Sequence, residues 1–180
     1  MKTNKSSLVY YALFICMLPM LSTSYVEKFK NSKLPSNKRN ILLYSKHGHY
    51  LAIYPGGTVN ATIDTNSTSI VLEMQTFGRY YKRIRRPGSY YLAINNQGEI
   101  VTRKKPRKNT LFREHFDGSY FWYENDANQY ILALRANYRT KNKVKATNHT
   151  RPKHHIKKTQ FLIAHVPYRL QKLSEQRQRP

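Results

Sequence analysis

A short apolar motif that returns three times constrains the fold of this chain more than any other feature. Tyr-Leu-Ala-Ile at residues 50–53 is repeated unchanged at 91–94 and returns as Ile-Leu-Ala-Leu at 131–134. The spacing between the Leu-Ala pairs is 41 and then 40 residues. Each copy predicts a short strand in which Leu and the aliphatic residue two positions later share one face. A fixed period of this kind indicates three copies of one structural unit.

Each unit is predicted to consist of β-strands. Gly57 and Gly98 end the turns after the first two copies and supply the positive φ of tight hairpins. Apolar residues alternate over 70–74, and apolar runs at 121–123 and 161–163 predict further strands. Propeller blades have a similar length, but a propeller typically needs four to eight of them. The chain is therefore predicted to be all-β, a β-trefoil of three repeats of roughly 40 residues.

The N-terminus has the three-part pattern of a secretory signal peptide. Lys2 and Lys5 charge its start, an apolar stretch spans 8–21, and small residues at 22–24 precede a cleavage before Tyr25. The apolar stretch is shorter than the ~20 residues of a membrane-spanning helix, so an uncleaved anchor is the weaker alternative. We therefore expect a secreted, extracellular protein. The expected domains are a signal peptide (1–24), a basic flexible leader (25–39), a β-trefoil (40–167) and a polar basic tail (168–180) without packing contacts.

The net charge predicts a polyanionic partner. Lys and Arg number 32 against 9 Asp and Glu, a formal charge of +23, which becomes +21 once residues 1–24 are removed. Such an excess suits nucleic acid, an acidic membrane face or a sulfated glycan. For a secreted chain we expect the glycan, with no nucleic acid and no membrane insertion. Cys16 is the only cysteine and lies in the signal peptide, so no disulfide is expected.

One segment concentrates this charge. Between the third repeat and Phe161 the chain has nine cations and no acid. They are Arg135, Arg139, Lys141, Lys143, Lys145, Arg151, Lys153, Lys157 and Lys158. Sulfate groups recur along a glycosaminoglycan, so a strip of cations can engage several of them and release counterions, as at nucleic acid. The alternative is a solvated loop that is basic for solubility.

Two further features are less specific. A second basic cluster occupies residues 82–86 and 103–108, and it either widens the glycan surface or is an ordinary charged exterior. Sequons at Asn60, Asn66 and Asn148 are candidate glycosylation sites in a secreted chain.

Several segments carry a resemblance to a known family. They are 43–46 leading into 50–53, the hairpin 90–98, Phe112-Arg113-Glu114 followed by Tyr120 and Tyr123, and Phe161-Leu162. Over about residues 41–166 the chain resembles the fibroblast growth factors. Its Tyr-, Asn- and Lys-rich character is most similar to the secreted viral homologues of baculoviruses.

The resemblance implies a function and its residues. It implies a growth factor without a cofactor that binds heparan sulfate and activates a fibroblast growth factor receptor tyrosine kinase. It adds His47, in the first hairpin, to the heparin-binding residues. It also implies receptor contacts by Tyr44, Glu114, Tyr120 and Leu162. The alternatives are that Tyr44 and Leu162 belong to the core, Tyr120 ends a strand and Glu114 has an internal salt bridge.

Three positions depart from the family pattern. Ser45 and Thr110 stand where the family usually has Cys, and we expect both to be hydrogen-bonded if they are buried. Ala164 replaces a Met after the final Phe-Leu, so an apolar contact that bears on receptor affinity is lost.

Other function classes are weaker. The histidines have no cysteines and few acids around them, so neither a metal site nor a catalytic constellation is expected, and we predict that the protein is not an enzyme. A lectin trefoil would repeat a sugar-stacking aromatic, but Trp122 is the only tryptophan. A trefoil protease inhibitor, or a protein that occupies receptor or glycan without activating signalling, is the remaining alternative.

Overall fold

The structure is a computed structural model that describes residues 34–135, 143–147 and 159–176. Its described elements are twelve β-strands, two single-turn 3-10 helices and one α-helix. The strands are β1 (Asn37–Ser45), β2 (Tyr50–Ile53), β3 (Val59–Thr62), β4 (Leu72–Phe77), β5 (Tyr81–Arg85), β6 (Tyr91–Ile94), β7 (Ile100–Arg103), β8 (Phe112–Phe116), β9 (Phe121–Asn125), β10 (Ile131–Arg135), β11 (Lys143–Thr147) and β12 (Phe161–His165). The 3-10 helices are Thr68–Ile70 and Lys108–Thr110, and helix α1 is Tyr168–Gln176.

Six of the strands close into a barrel. In order around the ring, β1 pairs with β4, β4 with β5, β5 with β8, β8 with β9, β9 with β12, and β12 with β1, all antiparallel. Closure leaves these six strands without a free edge. Each repeat contributes its first and fourth strand to the barrel, so the ring contains three equivalent units.

The remaining six strands form three hairpins, one from each repeat. They are β2–β3, β6–β7 and β10–β11, and each begins with one copy of the repeated motif. The strands β3, β7 and β11 approach one another pairwise, which brings the hairpins together as a triangular cap. The predicted β-trefoil is therefore confirmed, and each predicted repeat strand is present.

The core lies inside the barrel and under the cap. The three repeated leucines Leu51, Leu92 and Leu132 are buried in one cluster with the aliphatic residues two positions after them. Each barrel strand adds inward side chains to this cluster, including Tyr123 and Phe161. The intervening alanines Ala52, Ala93 and Ala133 are buried too, so the repeat strands are covered on both faces.

Adjacent repeats contact each other closely at the hairpin tips. Gly57 has φ +82° at the tip of the first hairpin, where an added Cβ would lie 2.8 Å from Thr102 Oγ1 and 3.3 Å from the Tyr90 ring. Gly98 has φ +75° at the tip of the second hairpin, where an added Cβ would lie 3.0 Å from the Tyr130 ring. Tyr90 and Tyr130 occupy the same position in successive repeats. A side chain at either glycine would be strained and would meet the next repeat.

The two positions at which Cys was expected behave as predicted. Ser45 and Thr110 are fully buried. The Ser45 Oγ accepts the backbone N–H of His49 at 3.3 Å. Thr110 Oγ1 accepts the N–H of Arg107 at 3.1 Å and donates to its carbonyl at 2.7 Å. Both hydroxyls therefore have partners in place of a small apolar thiol.

The expectation of an unpacked tail from residue 168 is wrong for the part that the structure describes. Helix α1 buries Leu170 in a second apolar cluster with Leu42, Ile70 and Val166. Its other buried residue is Ser174, whose hydroxyl donates to the Gln171 carbonyl at 2.8 Å. Leu170 and Leu173 are the only aliphatic residues of the helix, and one such pair in a polar stretch was too weak a signal to predict it.

We predict that Leu170 anchors this helix. Leu170→Ala should lower the free energy of unfolding by about 2–3 kcal/mol, at the low end for a buried leucine because a terminal helix can shift to fill the space. Leu170 is 5% exposed and Leu173 is 38% exposed. The matched variant Leu173→Ala should cost about 1 kcal/mol or less. Urea unfolding measures both, and equal effects would show that the helix does not depend on this contact.

Candidate functional site

Three of the residues predicted to contact a receptor lie on one outer face of the barrel. Tyr44 of β1 is paired in register with Leu162 of β12. The neighbouring pair on the other side of β12 is Phe161 with Phe121, and the same antiparallel register places Leu162 beside Tyr120. Leu162 is 41% exposed, and the two tyrosines are half-buried. We call Tyr44, Tyr120 and Leu162 the aromatic face.

Neighbouring side chains support the two tyrosines of this face. The Tyr44 ring packs on Tyr50 with centroids 4.8 Å apart. The turn before Tyr120 is fixed by Asp117, whose Oδ1 accepts the backbone N–H groups of Tyr120 at 2.7 Å and Ser119 at 3.0 Å. These bonds hold the pKa of Asp117 below its ordinary value. The tyrosines are therefore presented from a preformed surface.

A cation that the sequence reasoning did not select borders the aromatic face. Lys46 is exposed in the turn between β1 and β2, and its Nζ lies 4.4 Å from the centroid of the Tyr120 ring. The backbone N–H of Lys46 donates to the Gln160 carbonyl at 3.0 Å. Lys46 is the last residue of the motif 43–46, and His47 follows it directly. The resemblance that indicated His47 could therefore have indicated Lys46 as well.

Glu114 differs from the other three predicted receptor residues. One carboxylate oxygen lies 3.3 Å from Lys82 Nζ, and the other accepts the Tyr123 hydroxyl at 3.1 Å. The Lys82 and Glu114 side chains are 7% and 15% exposed. Burial and the Glu114 charge raise the pKa of Tyr123 well above its ordinary value, so its hydroxyl stays a donor. Both carboxylate oxygens thus have internal partners, and the receptor role of Glu114 stays a prediction.

The predicted heparin-binding residues fall on the described part of the chain only in part. His47 is exposed in the β1–β2 turn. Arg135 on β10 is paired in backbone register with Lys143 on β11, and Lys145 follows two positions later. The other six lie outside the described residues: Arg139, Lys141, Arg151, Lys153, Lys157 and Lys158.

The second basic cluster divides into two sets. Its first part has internal roles: Lys82 pairs with Glu114, Arg83 lies over the Phe77 ring, and Arg85 pairs with Glu73 at 3.0 Å. Burial opposes ionisation of Glu73, but hydrogen bonds and charge from Arg85 hold its pKa below the ordinary value. The second part, residues 103–108, is exposed throughout.

The three sequons have different placements. Asn66 is exposed in the loop between β3 and β4. Asn60 is half-buried on β3, where its Oδ1 accepts the N–H of Ala61 at 3.0 Å. Asn148 lies outside the described residues.

Trp122 is stacked against a neighbouring side chain on the outside of the barrel. Its ring is parallel to that of His115, with centroids 3.6 Å apart. His115 Nε2 lies 3.0 Å from Glu124 Oε2. Burial lowers the pKa of His115 despite this carboxylate. The face of Trp122 toward His115 is thus covered and is not offered to a sugar.

The described residues also show whether a metal site or a membrane-spanning helix is present. Among them, no three His, Cys, Asp or Glu side chains come together as ligands of a metal ion. Over the same residues, no helix is long and apolar enough to cross a membrane.

The structure is a β-trefoil in which an aromatic face lies beside a cationic turn. Comparison with known proteins identifies its family. The sequence model of the fibroblast growth factor family matches residues 39–161. The chain is 29% identical to fibroblast growth factor 1 of Notophthalmus viridescens over 101 residues, which cover 55% of this chain and 71% of that one. It is also 29% identical to fibroblast growth factor 1 of Cynops pyrrhogaster over 104 residues, 55% of this chain and 70% of that one.

The chain therefore belongs to the fibroblast growth factor family. Members of this family are growth factors rather than enzymes. Family membership thus makes growth factor the class of protein. The narrower similarity to baculovirus homologues stays a prediction.

We predict that Glu114 stabilises the fold. Glu114→Gln leaves the Lys82 ammonium buried without its carboxylate, which should cost roughly 2–3 kcal/mol, less than the ~3–5 kcal/mol of a fully buried pair. Adding Lys82→Met to Glu114→Gln should recover most of the loss, because the uncompensated charge is then removed. Urea unfolding of the two single variants and the double variant measures this coupling. Additive losses would contradict an internal role for Glu114.

Proposed function

We propose that this protein is a secreted ligand that binds heparan sulfate and activates a fibroblast growth factor receptor tyrosine kinase. The observation that carries the proposal is the contact between Lys46 and Tyr120, which places a cationic turn at the edge of the aromatic face in a member of this family. The predicted signal peptide and glycosylation at the sequons belong to the same proposal. So does the basic leader, which ends before β1 begins at Asn37 and not at residue 39 as predicted. So does a source among baculoviruses.

The aromatic face has the composition of an interface centre. Tyrosine offers a large apolar body and a hydroxyl that can find a polar partner, and it is enriched among the residues that dominate binding energies. Tyr44 and Leu162 are neighbours by strand pairing, so they present one continuous surface. Ala164, two residues after Leu162 on β12, has a small side chain and adds little area to this surface. The two tyrosines and Leu162 are therefore the main contacts.

The glycan surface is proposed to include the β1–β2 turn and the acid-free segment 135–158. Lys46 and His47 occupy the turn, and the Lys46 N–H donates to the carbonyl of Gln160, two residues after that segment. This bond supports the proposal that cations from both parts of the chain serve one glycan surface. A sulfated chain bound there would border the aromatic face, so glycan and receptor would be engaged side by side.

A ligand that occupies the receptor without activating it is the second candidate, because the same two surfaces would serve it. Addition of the protein with heparin to receptor-bearing cells distinguishes the two. Receptor tyrosine phosphorylation supports the activating ligand, and binding without phosphorylation supports the competitor. A lectin or protease inhibitor would show neither.

We predict that the aromatic face binds the receptor. Tyr44→Ala and Leu162→Ala should each weaken binding to the receptor ectodomain by ~1 kcal/mol or more, about fivefold or more in Kd, because both truncate central apolar contacts. Ile63→Ala is the matched control, since Ile63 is 70% exposed in a loop between β3 and β4. Surface plasmon resonance measures Kd, and heparin elution reports the intact glycan surface. Unchanged affinity in both test variants would remove this face from the proposal.

We predict that segment 135–158 dominates heparin retention. The loop variant changes Lys141, Lys143, Lys145, Lys157 and Lys158 to Gln, and it should elute from heparin at a much lower salt concentration. Its slope of log affinity against log salt should also shrink, because fewer counterions are released. The charge control changes five exposed cations elsewhere to Gln: Lys38, Arg79, Arg113, Arg169 and Lys172. Equal elution of the two variants would mean that net charge alone, and no local site, retains the protein.

A further inference from the structure

The connection between β7 and β8 presents a compact basic surface. Five of the six residues from Arg103 to Lys108 are cations, and all six are exposed. We call these five side chains the second-repeat cations: Arg103, Lys104, Lys105, Arg107 and Lys108. Their segment contains no acidic residue. In the described part of the chain, none of the five forms an ion pair with a carboxylate.

The backbone beneath these cations is fixed by hydrogen bonds. Arg107 and Thr110 exchange two bonds across the 3-10 turn, at 3.1 and 2.7 Å. Asn125 of β9 donates to the Asn109 carbonyl at 2.8 Å. Arg103 is still within β7, paired in register with Tyr91. A polyanion would therefore meet cations whose backbone is already ordered, which reduces the entropy cost of binding.

No ion pair among the described residues accounts for the second-repeat cations. Their neighbours in the same basic cluster do have structural partners, since Lys82 pairs with Glu114 and Arg85 with Glu73. Five like charges in six positions instead repel one another. Such a cost is offset when a polyanion lies across the segment and its counterions are released.

The segment lies in the connection from the third to the fourth strand of its repeat, which can be compared with the same connection in the other two repeats. Each repeat has a connection from its third to its fourth strand: 63–71, 104–111 and 148–160. The strands that these connections enter, β4, β8 and β12, alternate around the six-stranded ring. In the order of strands, the second-repeat segment therefore corresponds to the basic connection of the third repeat. The first connection, 63–71, has no Lys or Arg.

We propose that the second-repeat cations form a second binding site for sulfated glycan, separate from the site on segment 135–158. This inference rests on the proposed glycan binding. Because β8 and β12, the strands that the two connections enter, are separated by β9 in the ring, we expect one molecule to hold two glycan segments at once. The protein is then a cross-linker of heparan sulfate chains as well as a ligand held by one chain.

A sandwich measurement tests the second site. The full-length secreted protein is captured on immobilised heparin, and fluorescently labelled heparin is then added in solution. The wild-type protein should recruit the labelled chains. The second-repeat variant, with all five second-repeat cations changed to Gln, should still be captured but should recruit at least several-fold less label. Its unfolding midpoint should match that of wild type, since no ion pair is lost.

Two other variants separate the outcomes. The charge control with five Gln elsewhere should recruit label like wild type. The loop variant of segment 135–158 should be captured weakly and should also lose the sandwich. If the second-repeat variant recruits as much label as the charge control, the second site is wrong while glycan binding stands. If wild-type protein is not captured at all, the proposal of glycan binding is contradicted, and with it the proposal of a second site.

Discussion

Closure of the six-stranded barrel is the constraint on which the rest of this structure depends. A closed ring has no free edge, and its interior must be filled by side chains from every strand. Most of those side chains are aliphatic or phenylalanine, but β9 supplies Tyr123, which is fully buried. Its hydroxyl needs a partner, and Glu114 provides one at 3.1 Å. Glu114 in turn holds Lys82, so one interior tyrosine brings an ion pair into the wall of the barrel.

The same constraint divides the charges of this very basic chain. Cations on the barrel wall between β4 and β8 are paired or packed, as Arg85 is with Glu73 and Lys82 with Glu114. The cations of Arg103–Lys108 form no ion pair with a carboxylate in the described part of the chain, and they are exposed. The net charge of +23 is therefore not a uniform property of the surface. Only the exposed fraction is available to a partner, and its placement follows from the trefoil.

The fold could be predicted because its signal is local and repeated. Leu51, Leu92 and Leu132 sit in strands whose period of two is visible along the chain, and their spacing counts the units. Helix α1 could not be predicted, since its buried face includes Ser174 and has little apolar character. The internal role of Glu114 depends on Lys82, 32 residues earlier. Such a partner is set by strand pairing between β5 and β8, which no local pattern records.

The three repeats are alike in their core residues and differ in the residues that they expose. The leucines under the cap are the same in all three repeats because all three hairpins must fill one shared interior. The exposed residues of the connections from third to fourth strand carry no such requirement, and they differ: the first connection has no Lys or Arg, and the second has four in residues 104–108. Because these four cations do not fill the interior, we assign their charge to a partner outside the protein. In a trefoil, therefore, the positions where symmetry fails are the ones that carry information about partners.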